Sequence, residues 1–371
     1  MTALIEHEQG QQSELEVPDQ GDSPLDRPRR IGARPLDLNL SLAATALGSL
    51  ALVWVVYEQL LAASGSLGFM LCWYVTFLLM YAGTTALGNP RMEVVDRLAA
   101  AVVTGAAALV GFALLTTILY TFQQGWTAFT HVNFFTQDMA GVGPQDPLTR
   151  GGILHAIVGS AIEVGIAAGI SLPLGIGTAV YLTEVGGRAS KTVRTVVEAM
   201  TALPDILAGL FVYTVLIVAL GFQRSGFAAA MALTITMLPI IARSAEVQLR
   251  VVPGGLREAG FALGASHWRT VRLVVLPTAK SGLATALILG IARAVGETAP
   301  VLITSGDSTF MNLNPFNDPM NSLPLFIFSA VRSGQPLFIA RGFGAASVLL
   351  GIVLLLFVAI RFLARDKGVR R

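Results

Sequence analysis

The sequence predicts an all-α integral membrane protein with about eight transmembrane helices. Hydrophobic residues make up 54% of the chain and charged residues only 13%, whereas a soluble domain has about 25% charged residues. Eight apolar runs have roughly the 20 residues that a helix needs to cross a bilayer. They lie at 42–61, 68–87, 98–121, 153–182, 202–221, 226–241, 281–303 and 345–362.

The runs divide the chain into three parts. Residues 1–40 are polar, contain prolines and end in a cluster of arginines, which predicts a disordered cytoplasmic tail and not a secretory signal peptide. Residues 41–90 hold two apolar runs and predict an N-terminal transmembrane hairpin. Residues 91–371 hold the other six and predict the main membrane domain.

The positions of the basic residues predict the orientation. Eight crossings place both termini on the same side. Of the 25 Lys and Arg residues, only Arg150, Arg224, Arg332 and Arg341 then fall on the opposite side, and Arg293 falls within a span. Because Lys and Arg are enriched in cytoplasmic loops, both termini are expected in the cytoplasm.

Composition argues against several other functions. The net charge of +2 is too small to indicate a nucleic-acid partner. Cys72 is the only cysteine, so an intrachain disulfide is impossible, and the four histidines show no metal-ligand spacing. We find no pairing of a nucleophile with a base, so no catalytic residue and no metal site are predicted. The P-loop pattern G-x-x-x-x-G-K-[ST], which binds the phosphates of ATP, is absent from the sequence.

Residues 250–280 form the most distinctive segment. Its pattern is Arg257-Glu258-Ala259-Gly260, three residues, Gly264, nine residues, Val274, one residue, and Leu276-Pro277. The prolines and glycines predict short helices at 253–263 and 267–275, with a turn at Gly264 and a stop at Pro277.

Two charges fall inside the seventh apolar run. Arg293 and Glu297 are four residues apart, hence on one face of a helix, and each costs about 2.5–3.5 kcal/mol to insert. Either the two pair with each other and hold the bundle together, or Arg293 lines a pathway for an oxyanion that its planar guanidinium would grip. In the second case Glu297 orients or gates Arg293.

The pattern E-A-G-x3-G-x9-V-x-L-P in the segment 250–280 resembles the E-A-A-x3-G-x9-I-x-L-P loop of ATP-binding-cassette (ABC) importer permeases. It departs only by Gly260 for Ala and Val274 for Ile. We call residues 250–280 the EAA-like segment. The resemblance implies that it docks on an ATPase subunit through the coupling residues Arg257, Glu258, Ala259, Gly260, Gly264, Leu276 and Pro277.

Residues 292–300, A-R-A-V-G-E-T-A-P, look like the A-R-A-I-G-E-T-A-P signature of PstA-type permeases of phosphate importers. The resemblance extends from about Leu98 to the C-terminus. It implies a type I (MetI-like) importer core of six helices, with Arg293, Glu297 and Thr298 in the substrate pathway.

The resemblance also implies a function and partners. The chain would be a multi-pass permease subunit in the cell membrane, not an enzyme, in an ATP-driven importer of inorganic phosphate. Its partners would be a PstC-type permease, two PstB-type ATPase subunits that bind ATP and Mg²⁺, an extracytoplasmic phosphate-binding protein and the lipid bilayer. No cofactor is expected in this chain. The alternatives are a permease for another oxyanion or an organophosphate, and an ATP-independent channel or secondary transporter.

Two acidic residues depart from the family pattern. Asp205 stands where a serine is usual, and it is expected to cap the start of a helix on the cytoplasmic side. Glu163 lies in a stretch that is usually apolar. It is expected near the outer end of its helix, either solvated in a cavity or paired with an arginine.

Overall fold

The computed structural model describes residues 36–61 and 65–364, and over these residues the chain is helical, without a β-strand. Residues 1–35 of the predicted tail lie outside the described part, and residues 36–40 already belong to the first helix. The chain forms two compact units, of which the first ends at Phe112 and the second begins at Ala113.

The first unit contains the predicted N-terminal pair of helices. Helix α1 covers Leu36–Trp54 and continues as a π-helical turn, Val55–Leu60, and α2 covers Ser66–Ala86. The two pack against each other, and the indole Nε1 of Trp73 donates to the carbonyl oxygen of Ala46 at 3.2 Å. Most of their large apolar side chains remain exposed, as expected for helices surrounded by lipid.

The remaining helices follow in chain order. Their bounds are α3 Arg91–Phe129, α4 Asn133–Thr136, α5 Leu154–Val180, α6 Ser190–Ala202, α7 Asp205–Val212, α8 Gly226–Val251, α9 Gly254–Ala262, α10 His267–Thr270, α11 Leu276–Thr278, α12 Lys280–Val295, α13 Ala299–Thr304, α14 Leu323–Arg332 and α15 Pro336–Ala364. Further π-helical turns cover Tyr181–Val185, Tyr213–Ala219 and Val271–Val275.

Helix α8 forms the centre of the second unit and packs on α5, α6, α7, α12 and α13. Small residues allow the close approach. A Cβ atom added at Gly175 of α5 would lie 2.8 Å from Ile241 of α8, and one added at Gly290 of α12 would lie 2.6 Å from the same side chain. Both distances are too short for a methyl group, so these two glycines set the spacing of α5 and α12 around α8.

Within the described part of the chain, six helices are long and apolar enough to cross a membrane, and the number rises to eight if each of two bent pairs counts as one span. The run at 202–221 forms α7 and the π-helical turn after it, Asp205–Ala219, and the 103° bend lies just before it, where α6 ends at Ala202. The second bend, of 71°, separates His267–Thr278 from Lys280–Val295. Pro277 was expected to stop its helix, but it lies within α11, near the N-terminus, and the bend follows at Ala279.

The expectation for the seventh apolar run also needs correction. The predicted helix 281–303 is broken, since α12 ends at Val295 and α13 begins at Ala299. The stretch 304–344, which separates the last two apolar runs in the sequence, contains α14 and the start of α15. Helix α14 forms because its Leu323, Leu325 and Phe326 are fully buried, and this burial of apolar surface outweighs the nearby Asn and Pro residues.

Candidate functional site

Arg293 lies in the last turn of α12, beside the break that interrupts the span. Its Nη2 donates to Oδ2 of Asp205 at 2.5 Å, and its Nε lies 3.3 Å from Oε1 of Glu297. The side chain keeps 46% of its surface exposed. One guanidinium group therefore faces two carboxyl groups while remaining accessible.

Asp205 has a different role from the one expected. It is the first residue of α7 and not the predicted cap, because the N-cap position belongs to Pro204. The carboxylate instead accepts a charge-assisted hydrogen bond from Nη2 of Arg293.

A cavity of about 160 Å³ lies against this pair. Its walls come from α6, the start of α7, the middle of α8 and the end of α12. The lining residues are Met200, Thr201, Leu203, Asp205, Ala208, Ile235, Thr236, Pro239, Ile240 and Arg293. The volume is sufficient for a small tetrahedral oxyanion, and Arg293 is the only cation among these residues.

The other two predicted pathway residues lie beside the cavity and not in its wall. Glu297 follows the end of α12 at the break and contacts Arg293. Thr298 is the half-buried residue before α13, and its carbonyl oxygen accepts from the amide of Leu302 at 2.9 Å. Of the three residues, only Arg293 lies in the cavity wall, Glu297 contacts Arg293, and Thr298 follows in the chain.

The EAA-like segment folds as the expected pair of short helices. The first, α9, is followed by a turn at Gly264, whose φ of +78° lies in the left-handed region that favours glycine. The second is made of α10, the π-helical turn Val271–Val275 and α11. Gly260 packs against Thr270, where an added Cβ would lie 3.0 Å from the threonine methyl group, so the two short helices contact each other closely.

Arg257 points into the protein. Its Nη2 and Nε donate to the two carboxylate oxygens of Glu184 at 2.7 and 3.1 Å. The same side chain donates to the carbonyl oxygens of Val252 and Leu249. These hydrogen bonds with Glu184 raise the pKa of the Arg257 guanidinium above its usual value. Arg257 therefore positions the EAA-like segment from inside.

The opposite face of the EAA-like segment is exposed. Glu258 and Ala259 lie there, Pro277 is exposed as well, and Leu276 is half-buried. From the start of α9 to the end of α11, the large exposed apolar side chains are Leu256, Phe261, Leu263, Trp268 and Leu273. We call these five the apolar face. An apolar patch with charged neighbours is typical of a surface that binds another protein.

Glu163 is neither solvated nor paired with an arginine in the structure. It is only 1% exposed, and Ser305 Oγ donates to its Oε1 at 2.6 Å. Ser305 also contacts the carbonyl oxygen of Met320 at 2.5 Å. The carboxyl group is therefore enclosed between α5 and the segment after α13, where a hydroxyl group takes the place of the expected partner.

The sequence did not indicate two partners of the predicted residues, Asp205 for Arg293 and Glu184 for Arg257. A signal existed in both cases, because an acidic residue inside or at the end of an apolar run needs a compensating charge. The sequence alone could not say which arginine supplies it. No group of three or more His, Cys, Asp or Glu side chains with metal-binding geometry occurs within residues 36–61 and 65–364.

Comparisons with known proteins agree with this architecture. Residues 171–369 match the family described as binding-protein-dependent transport system inner membrane component. The phosphate transport system permease protein PstA 1 of Mycobacterium tuberculosis is 42% identical over 245 residues, which cover 65% of this chain and 80% of that protein. The corresponding PstA of Haemophilus influenzae is 33% identical over 236 residues, covering 61% of this chain and 81% of the relative.

Among solved structures, an inward-facing MetNI methionine ABC transporter is similar, with 24% identity and a TM-score of 0.46. The match covers 58% of this chain and 93% of the other. The matched family covers more than half of the chain, and the two PstA proteins are each matched over about four fifths of their length. The chain therefore belongs to the binding-protein-dependent transport system inner membrane components and, within them, to the PstA-type permeases.

Proposed function

We propose that this chain forms the pathway for inorganic phosphate in an ATP-driven importer, together with a second, PstC-type permease subunit. The names of its relatives support phosphate as the substrate. The observation that carries the proposal is Arg293, a half-exposed guanidinium in the wall of a cavity at the break of a membrane span. A charge is retained at such a position when it has a function to perform.

The chemistry of Arg293 fits an oxyanion. Guanidinium is planar and can donate two parallel hydrogen bonds to a tetrahedral anion. In the structure Asp205 occupies one of these donors and Glu297 lies near another. An entering anion would replace these carboxyl groups as partner of Arg293, so the cation stays compensated both with and without substrate.

The EAA-like segment supports an ATPase partner. The apolar face and exposed Glu258 would bind a PstB-type subunit, which holds ATP and Mg²⁺, while Arg257 holds the segment in place through Glu184. In this proposal the segment and both termini face the cytoplasm, residues 91–371 form the transport domain, and residues 41–90 are an additional hairpin. An extracytoplasmic binding protein would deliver phosphate to the opposite side.

The mechanism that follows is alternating access. ATP-driven closure of the ATPase subunits moves the EAA-like segments of the two permeases together. Because Arg257 connects the segment to the end of α5, that motion reaches the helices around the cavity. The bundle opens outward, receives phosphate, and releases it past Arg293 when the ATPase resets.

Uptake of radiolabelled phosphate by cells that lack the gene tests this proposal. We expect cells supplied with the chain to recover uptake, and we expect no recovery when the partner ATPase carries an inactivating substitution. An unchanged phosphate uptake in the deletion strain, with every other phosphate transporter removed, would contradict the proposal. Recovery that is independent of the ATPase would favour a channel or a secondary transporter.

A further inference from the structure

The hydrogen-bonding groups of the cavity are unevenly distributed. Arg293 can only donate hydrogen bonds and Asp205, as a carboxylate, can only accept them. The other polar side chains in the wall are two threonines. Each hydroxyl donates its hydrogen bond to a backbone carbonyl oxygen of its own helix. Thr201 donates to the carbonyl oxygen of Val197 at 2.8 Å, and Thr236 donates to that of Leu233 at 2.9 Å. Both hydroxyl oxygens can still accept.

A ligand in this cavity therefore meets one donor side chain and three acceptor side chains. An oxyanion without a proton can satisfy Arg293 but faces Asp205 with its own negative oxygen. An oxyanion that carries a proton can accept from Arg293 and donate its O–H to Asp205. The carboxylate repels the first ligand and binds the second.

We propose that Asp205 makes the pathway selective for oxyanions that carry a proton, so that hydrogen phosphate is accepted and sulfate is rejected. The proposal rests on the proposed function, because it assigns Arg293 to the anion. It adds a specificity-determining residue and a substrate class, the protonated tetrahedral oxyanions. At mildly alkaline pH, hydrogen phosphate and sulfate are both tetrahedral dianions, so the proton is the main chemical difference between them.

The inference is tested by measuring anion binding to the purified complex of permease and ATPase subunits. The binding protein is left out because it would impose a selectivity of its own. Radiolabelled phosphate is bound at mildly alkaline pH and displaced with unlabelled sulfate or phosphate. In the wild type we expect sulfate to require at least about a tenfold higher concentration than phosphate. In Asp205→Asn, whose amide can donate to sulfate, we expect the two concentrations to become equal within about a factor of two.

Glu198→Gln is the matched control. Glu198 pairs with Arg243 at 2.9 Å, both side chains are about half exposed, and neither residue lines the cavity. This variant also removes one carboxylate from an ion pair, and it should retain the wild-type preference. A preference for phosphate that persists unchanged in Asp205→Asn, or one that disappears equally in Glu198→Gln, would overturn the inference.

Arg293→Ala separates the two proposals. Loss of binding of both anions in Arg293→Ala, with an unchanged preference in Asp205→Asn, would overturn the role of Asp205 alone. Unaltered phosphate binding by Arg293→Ala would overturn the proposed function. If Asp205→Asn does not assemble, displacement of phosphate from the wild type by arsenate and by sulfate gives the test. Hydrogen arsenate carries a proton, so it should displace phosphate at a concentration at least about tenfold lower than sulfate requires. Equal competition by arsenate and sulfate would refute the proposal.

Discussion

Arg257 and Glu184 form a two-pronged ion pair across 73 residues of chain, with Nη2 2.7 Å from Oε1 and Nε 3.1 Å from Oε2. Glu184 is almost fully buried and Arg257 is 22% exposed. The pair joins the EAA-like segment to the π-helical turn Tyr181–Val185 that extends α5. The segment is thereby attached to a membrane-spanning helix, and an ATPase docked on it, as in the proposed function, would be connected directly to the bundle.

Removal of either partner of this pair should weaken assembly with the ATPase. We expect Arg257→Met and Glu184→Gln each to destabilise the segment by about 2–3 kcal/mol, somewhat less than for a fully buried pair because Arg257 is partly exposed. The double variant should be no worse than either single variant. Co-purification of the ATPase and thermal unfolding of the complex measure both effects. Independent, additive losses in the double variant would show that the two residues do not act through each other.

Gly264→Val should uncouple the transporter. A β-branched residue would need at least about 1–2 kcal/mol to adopt the φ of +78° found at Gly264. The backbone would therefore relax, and the direction of α9 relative to α10 would change. We expect phosphate-stimulated ATP hydrolysis to fall strongly while the protein still inserts into the membrane. Gly255→Ala is the control, because an added methyl group there meets nothing within 4 Å. Equal stimulation in Gly264→Val and Gly255→Ala would contradict a requirement for this turn.

Glu163→Ala should destabilise the protein more than Glu163→Gln. Alanine leaves a cavity around Ser305 and removes the 2.6 Å hydrogen bond, at a cost of about 1–3 kcal/mol. Glutamine keeps the size of the side chain and its oxygen acceptor, so it should cost less than half as much. The melting temperatures of the purified complexes give the comparison. Equal melting temperatures for wild type and Glu163→Ala would mean that the contact contributes no stability.

Hydropathy predicted the helices in which the apolar stretch and the helix have nearly the same bounds. Runs at 153–182 and 226–241 became α5 and α8, although α8 extends ten residues farther, to Val251, because its charged end pairs with neighbours such as Arg194. The breaks after Ala202 and at Ala279 lie close to the predicted start of the run at 202–221 and the predicted stop at Pro277, but the bend angles of 103° and 71° were not predicted. Apolar composition sets how much chain can lie in lipid, and it contains no information about the direction of the chain within it.

The candidate site was predicted one residue at a time and not as a set. Arg293 was recognisable because a lone arginine inside an apolar run is costly, and Gly264 because a helix stop favours glycine. The contact between Arg293 and Asp205 joins residues 88 positions apart, so it depends on how α7 and α12 pack around α8. Local sequence patterns do not specify that packing.

The most direct test of the account is phosphate uptake by Arg293 variants in cells that lack the native gene. We expect Arg293→Ala to abolish uptake while the protein is still expressed, inserted and bound to its partners. Arg293→Lys should restore only part of it, since the charge remains but the planar pair of donors is lost. Arg243→Ala, which removes an exposed arginine outside the cavity, is the control and should transport normally. Wild-type uptake by a normally assembled Arg293→Ala transporter would contradict the account.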